Sequence, residues 1–295
     1  MNSRFLFPAL LFLVGSSGEL FGGDVAKVAP EWRLTDGFQL PESALYDAKT
    51  KKVYVSNMGT APDARDGSGF ITVVTVDGKV DAAKWLTGLN APKGIRIFED
   101  TLWVACLDEL VGIDVPTAKV TKRVKLDGAK FLSDVAIARD GTVYVSDLVQ
   151  SRIYSYDGSA AKVFAEGEEV EWPNGLVVDE DRLVVAAWGK PEPDFTTKVP
   201  GRLFAFDLAT KKKALITQKP IGNLNGVEAD GMGGYIVTDP IAGKVFRVDK
   251  EGMPRAIVEG LKGAADIAYI PATTLLIVPR IKDNSVTAYD LSKIR

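Results

Sequence analysis

The sequence predicts an all-β fold, a six-bladed β-propeller with four-stranded antiparallel blades, and three observations carry that expectation. One segment pattern recurs six times along the chain. Within each unit, β-branched and aromatic residues alternate with polar ones at a period of two. Turn pairs such as Asp-Gly and Lys-Gly separate the runs, and no amphipathic helical stretch of any length intervenes.

The six units open at Pro41-Glu42-Ser43, Pro92-Lys93-Gly94, Leu132-Ser133-Asp134, Pro173-Asn174-Gly175, Leu224-Asn225-Gly226 and Ala264-Ala265-Asp266, each leading into a short apolar strand. A second strand follows in each, from Val53-Tyr54-Val55 in the first unit to Leu275-Leu276-Ile277 in the last. A third strand ends at Asp in most units, as in Leu203-Phe204-Ala205-Phe206-Asp207. From Glu42 through Lys93, Ser133, Asn174 and Asn225 to Ala265 the spacings are 51, 40, 41, 51 and 40 residues. About 40 residues per four-stranded sheet is the length of a propeller blade. Trp32 to Asp36 is then free to add an outer strand to the last blade and close the ring.

The two long units carry their extra residues in the same place, between the second and third strands, at Asn57 to Gly69 and Trp188 to Gly201. In a propeller that connection lies on the same face as the loops leading into the innermost strands. Blades 1 and 4 stand opposite each other, so the two loops are expected to overhang the channel mouth from opposite sides. They are either walls of a site or tolerated loop growth.

Residues 1–23 read as an export signal. Arg4 precedes the apolar run Phe5 to Val14, and the small residues Gly15 to Gly18 follow, so cleavage is expected after Gly18 or near Gly23. Residues 24–295 are then a single propeller domain, periplasmic or secreted, acting as a monomer on a small-molecule substrate. A net charge of -3 with no basic face excludes nucleic acid as a partner, and no second hydrophobic segment keeps the mature chain in a membrane. Cys106 is the single cysteine, expected to be buried, so no intrachain disulfide forms. The 295 residues contain no histidine, which removes the usual zinc ligand, general base and Ser-His or Cys-His pairs. No nucleophile elbow, P-loop or Cys-x-x-Cys pair is present.

What remains is the ring of residues that open the innermost strands. Five of the six, Glu42, Lys93, Ser133, Asn174 and Asn225, are polar, and Ala265 is the sixth. A following glycine is expected to let the backbone turn and aim the preceding side chain into the channel. Hard cations take six to eight oxygens from carboxylates, amides, hydroxyls and water. Glu42, Asn174, Asn225 and Ser133 can supply up to four, which points to calcium or another divalent cation such as magnesium. The plainer reading is that Asn-Gly pairs form turns and that solvated polar side chains fill the channel. Asp134 and Asp266 follow the ring position in blades 3 and 6, either orienting ligands and water or capping backbone amides. Lys93 either bends away, pairs with Asp134 or attracts an anionic substrate. Asp147 and Asp239 are expected to link blades.

Pro41-Glu42-Ser43, Phe131-Leu132-Ser133-Asp134, Trp172-Pro173-Asn174-Gly175 and Asn223-Leu224-Asn225-Gly226, in that order, give the chain a family resemblance. It resembles the senescence-marker-protein, gluconolactonase and regucalcin-like family over Trp32 to Leu291, with a more distant likeness to diisopropylfluorophosphatase and paraoxonase. The resemblance implies a divalent-metal-dependent, gluconolactonase-like hydrolase of a lactone or related ester. It carries Glu42 and Asn174 over as metal ligands. Ser133 stands where the family usually has Asn. Asn225 stands where it usually has the Asp assigned as base or nucleophile, so the catalytic candidates are Asn225 together with Asp134, Asp266 or a metal-bound water. Lys93 and Ser133 are candidates for substrate contact. The alternative is a non-catalytic exported propeller that binds a small molecule or protein partner at the same mouth.

Overall fold

The computed structural model describes residues 28–294. The expected export signal at residues 1–23 lies outside the described residues. The chain forms six four-stranded antiparallel sheets, the predicted propeller. β1 (Trp32–Leu34) comes first and is taken up by the last blade. Blade 1 holds β2 (Pro41–Asp47), β3 (Lys52–Asn57), β4 (Gly69–Thr75) and β5 (Val80–Leu89). Blade 2 holds β6 (Pro92–Phe98), β7 (Thr101–Cys106), β8 (Glu109–Asp114) and β9 (Lys119–Lys125). β10 (Leu132–Ile137), β11 (Val143–Asp147), β12 (Arg152–Tyr156) and β13 (Ala161–Glu166) make blade 3. β14 (Pro173–Asp179), β15 (Arg182–Ala187), β16 (Leu203–Asp207) and β17 (Lys213–Leu215) make blade 4. Blade 5 contains β18 (Val227–Ala229), β19 (Tyr235–Asp239), β20 (Lys244–Val248) and β21 (Pro254–Glu259). Blade 6 contains β22 (Ala268–Ile270), β23 (Leu275–Arg280) and β24 (Ser285–Asp290), and β1 pairs with β24 as its outer strand. The N-terminal strand therefore closes the ring, as the sequence predicted.

Each blade is covered on both faces by its neighbours, which is why the second strands are apolar at consecutive positions and not only at alternate ones. The cores lie in the seams. Ala136, Tyr144 and Ile153 of blade 3 pack with Leu176, Val185 and Phe204 of blade 4, and Ala44, Val53 and Val55 of blade 1 pack with Ala268, Ile277 and Val286 of blade 6. Cys106 is one of the residues buried in the seam between blades 1 and 2.

A hydroxyl on the second strand stitches two blades to their neighbours. Ser146 Oγ accepts from the Asp134 amide at 2.9 Å and donates to the Asn174 carbonyl of blade 4 at 2.6 Å. Thr238 Oγ1 accepts from the Gly226 amide and donates to the Ala265 carbonyl of blade 6, both at 2.9 Å. Ser56 Oγ accepts from the Ser43 amide at 2.9 Å within blade 1. Asp147 and Asp239, one residue further on, do not link blades. Asp147 accepts from the Lys130 and Phe131 amides and Asp239 from the Asn223 amide, so each ties the loop leading into its own blade to that blade's second strand.

Candidate functional site

Two backbone devices aim the ring residues at the axis. In blades 1, 2 and 4 the residue before the strand's proline lies in the left-handed region, at Leu40 (φ 48), Ala91 (φ 42) and Trp172 (φ 56), so the chain turns sharply into the strand. The strand pairing then slips by one residue where the ring residue sits, between Pro41 and Ser43, between Pro92 and Ile95, between Leu132 and Val135, and between Pro173 and Gly175. A bulge of this kind leaves one residue outside the ladder and re-aims its side chain.

The glycines that follow act differently from the sequence expectation. Gly94, Gly175 and Gly226 are not among the residues with positive φ. They are needed because the next innermost strand comes too close for a side chain. A Cβ on Gly175 would stand 1.9 Å from the Asn225 carbonyl oxygen, one on Gly94 would stand 2.1 Å from Asp134 Oδ1, and one on Gly226 would stand 2.6 Å from the Asp266 Cα.

The structure brings Glu42, Lys93, Ser133, Asn174 and Asn225 to the floor of a single cavity of about 270 Å³. All five are buried. Ala265 is buried as well, and Gly263, Ile281 and Lys282 line the cavity on the side of blade 6. Both long loops supply walls, Met58 and Pro62 from blade 1 and Trp188, Asp194 and Phe195 from blade 4. Trp188 Nε1 donates to the Phe195 carbonyl at 3.0 Å and fastens the second loop, while the Phe195 ring lies 5.7 Å from that of Phe131. Phe195 has φ 62, an unusual conformation for a bulky residue that holds its ring at the mouth.

Burial dominates the electrostatics. The Glu42 carboxyl is pushed up to about 8 by desolvation and the nearby Asp266 charge, against the opposing pull of Lys93 and a hydrogen bond from Asn225. Glu42 Oε2 is buried with no hydrogen-bond partner. Desolvation pushes Lys93 down to about 8 although the Glu42 charge favours its ammonium. Lys93 Nζ donates to the Ala91 carbonyl at 3.2 Å and sits 4.3 Å from the centre of the Phe131 ring, a cation–π contact. This lysine faces the cavity and makes no ion pair with Asp134.

Asp134 and Asp266 do not line the cavity. Asp134 accepts from the Val135 amide at 2.6 Å and the Leu176 amide at 2.7 Å, joining blade 3 to blade 4. Asp266 accepts from the Ile267 amide and from Ser43 Oγ, joining blade 6 to blade 1. Both carboxyls are raised by burial first. For Asp266 the Asp134 charge adds to that effect, and for Asp134, pushed up to about 7, the Arg96 guanidinium opposes it.

Sequence reasoning missed the layer beneath the ring. Arg96 of β6 pairs with Glu228 of β18 at 2.5 Å, joining opposite blades across the channel. It also donates to the Val135 and Leu176 carbonyls of blades 3 and 4. Arg96 and Glu228 each stand three residues after a ring residue, and in blade 2 the bulge between Pro92 and Ile95 returns position three to the channel side. The channel thus holds four carboxylates, Glu42, Asp134, Glu228 and Asp266, against the two cations Lys93 and Arg96. In a desolvated space that excess of negative charge favours a bound cation or protonated carboxyls.

Among the described residues, no group of three or more His, Cys, Asp or Glu is placed so that it could hold a metal ion. The donor set at the ring is one carboxylate with amide and hydroxyl oxygens. Its chemistry suits a hard cation, and Glu42 Oε2 is a buried oxygen of that set with no hydrogen-bond partner.

Neither a scan against protein-family models nor a search of curated proteins finds a match. Solved structures do match. A gluconolactonase from Xanthomonas campestris superposes with a TM-score of 0.66 at 17% identity over 89% of each chain. Regucalcin from Agrobacterium tumefaciens, described as a calcium-binding protein, gives 0.65 at 15% identity over 89% of this chain and 94% of that one. Virginiamycin B lyase from Staphylococcus aureus gives 0.60 at 12% identity over 88% and 98%. At these identities the likeness establishes the shared propeller fold.

Proposed function

We propose that this chain is a divalent-metal-dependent hydrolase of a lactone or related ester, working at the channel mouth. The observation that carries the reading is the buried, unpartnered Glu42 Oε2 in one cavity with Asn174, Asn225 and Ser133. The calcium-binding description of regucalcin and the activity of the Xanthomonas gluconolactonase, both propellers of this shape, support it.

Glu42, Asn174, Asn225 and Ser133 are the residues that would hold the ion, calcium before magnesium. When bound, such an ion polarises a substrate carbonyl and stabilises the oxyanion that forms on it. The protein's own residues bind and orient. Lys93 presents its ammonium to the negative end of the substrate. Asn225 donates to the Glu42 carboxylate and orients it. Asp266 fixes the backbone of β2 beside Glu42, since its amide donates to the Glu42 carbonyl at 2.9 Å and its carboxylate accepts from Ser43. The apolar walls exclude bulk water, beyond the one molecule that hydrolysis consumes, and strengthen each of these interactions.

One observation favours the alternative of a non-catalytic binder: no carboxylate other than Glu42 reaches the cavity floor, because Asn225 occupies the place where the second would stand. Hydrolysis of a lactone panel, with and without chelator, decides between the two readings. Chelator-sensitive turnover is expected. Turnover indifferent to chelation defeats the metal, and ligand binding without turnover establishes the binder.

A further inference from the structure

The floor and the walls of the mouth differ in chemistry, and the difference bears on what the site accepts. The floor is polar and buried. Above it stand Phe131, Trp188 and Phe195 on the side of blades 3 and 4, and Met58, Ile241 and Ile281 on the side of blades 1, 5 and 6. The charged groups above the floor are Asp194 and Lys282, both exposed at the rim. Asp194 is already taken by the amide and hydroxyl of Thr196. A sugar lactone carries a hydroxyl on nearly every carbon, and each needs a partner once water is excluded. Walls of aromatic and aliphatic carbon provide none.

We infer that the substrate is an ester or lactone with an apolar body, a single aryl ring or a short alkyl chain, whose carbonyl end reaches the polar floor beside Lys93 while the body lies against Phe131, Trp188 and Phe195. This rests on the hydrolase reading of the same site and names its substrate class. Lys93 is pinned by the Ala91 carbonyl and the face of Phe131, so its ammonium is fixed at the boundary between floor and wall. A ligand is therefore oriented with its oxygen end inward. The cavity, at about 270 Å³, is the share of liquid volume of roughly nine waters, which limits the body to a small ring or short chain.

The test separates class from catalysis by using two matched series. Lactams with alkyl side chains of increasing length, together with the lactam of gluconic acid, resist hydrolysis and report binding alone. The corresponding lactones, with dihydrocoumarin added, report turnover. Affinity for the alkyl lactams is expected to tighten about fourfold per methylene until the cavity is full, and the sugar lactam to bind roughly a hundredfold more weakly than the best of them. F195S, a change on a half-buried loop residue, should weaken the alkyl series at least tenfold and leave the ligand-free melting temperature nearly unchanged. Apolar lactams that bind while no lactone turns over would sink the hydrolase and leave the class standing. Gluconolactone turned over, with its lactam bound as tightly as the alkyl ones, overturns the class and leaves the hydrolase standing. Failure of every lactam to bind overturns the class as well.

Discussion

Arg96 and Glu228 meet across the centre of the propeller, so that one ion pair joins blades 2 and 5 and floors the channel beneath the ring of Glu42, Lys93, Ser133, Asn174 and Asn225. Both side chains are largely buried, 15% and 17% exposed, and the guanidinium also bonds carbonyls of blades 3 and 4. The pair therefore ties four blades together and leaves the cavity above it open at one end.

R96M removes the cation and strands Glu228 beside Asp134 and Asp266. Breaking a buried pair from one side costs about 3–5 kcal/mol, and a domain of this size loses roughly 2–4 °C of melting temperature per kcal/mol. The double variant R96M/E228L removes both charges and should regain much of the loss. Thermal denaturation of the three proteins checks this, and a double variant no more stable than R96M refutes the argument.

The buried acids set an unusual pH dependence. Asp134, pushed up to about 7, and Asp266, also raised, bind protons more tightly in the folded chain than in the unfolded one. Between the unfolded carboxylate range, near pH 4, and pH 7 the folded state therefore holds more protons, and stability falls as pH rises through that window. Acids nearer the surface, such as the exposed Asp66 and the half-buried Asp290, held down to about 2 by hydroxyl and amide donors, act in the opposite sense only below it. Denaturant unfolding from pH 4 to 8 should show greater stability at pH 5 than at pH 7.5, and D134N should flatten the curve. A wild-type curve that rises toward neutrality would show that these carboxylates stay ionised.

G175A tests the close approach of blades 4 and 5. A methyl group there would stand 1.9 Å from the Asn225 carbonyl oxygen, so one blade must shift. Overpacking of this kind costs about 1–3 kcal/mol, occasionally more. Because the displaced residue belongs to the ring, ligand affinity should fall together with the melting temperature. A stable G175A protein with unchanged affinity would mean that the seam between the blades is softer than its geometry indicates.

The propeller and the ring were legible in the sequence because a repeat makes the same choice six times, and aligned positions in a radial fold converge on one axis. The channel layer was not. Reading Arg96 against Lys93 at a period of two places them on opposite sides of the strand, and only the bulge at the ring residue brings them to the same side; Glu228 stands three residues after Asn225, which precedes β18 and so falls outside the alternation of the strand. The glycines were read as turn formers, whereas Gly94, Gly175 and Gly226 yield space to a neighbouring strand that lies 40 to 50 residues away in the chain. The two long loops could be placed at the mouth by counting. The packing of Phe195 against Phe131 could not, since it depends on a left-handed backbone at a residue that rarely adopts one.

The cation reading is tested most directly by charge at two positions. If calcium occupies the ring, it binds the native chain selectively and raises the melting temperature, by about 2.7 kcal/mol of stability at a hundred times its Kd. E42Q removes the one carboxylate that the described residues place on the cavity floor and should abolish the shift; because burial already favours the neutral Glu42 carboxyl when no ion is bound, the neutral amide should leave the calcium-free variant about as stable as the wild type. N225D adds a carboxylate beside Glu42. Without calcium, two adjoining buried acids repel and the variant should melt lower. With calcium the second charge attracts the ion, and affinity should rise at least roughly tenfold. Calorimetric titration of the three proteins separates these outcomes. Equal calcium response in wild type, E42Q and N225D would place any bound ion elsewhere and remove the metal from the mouth of the channel.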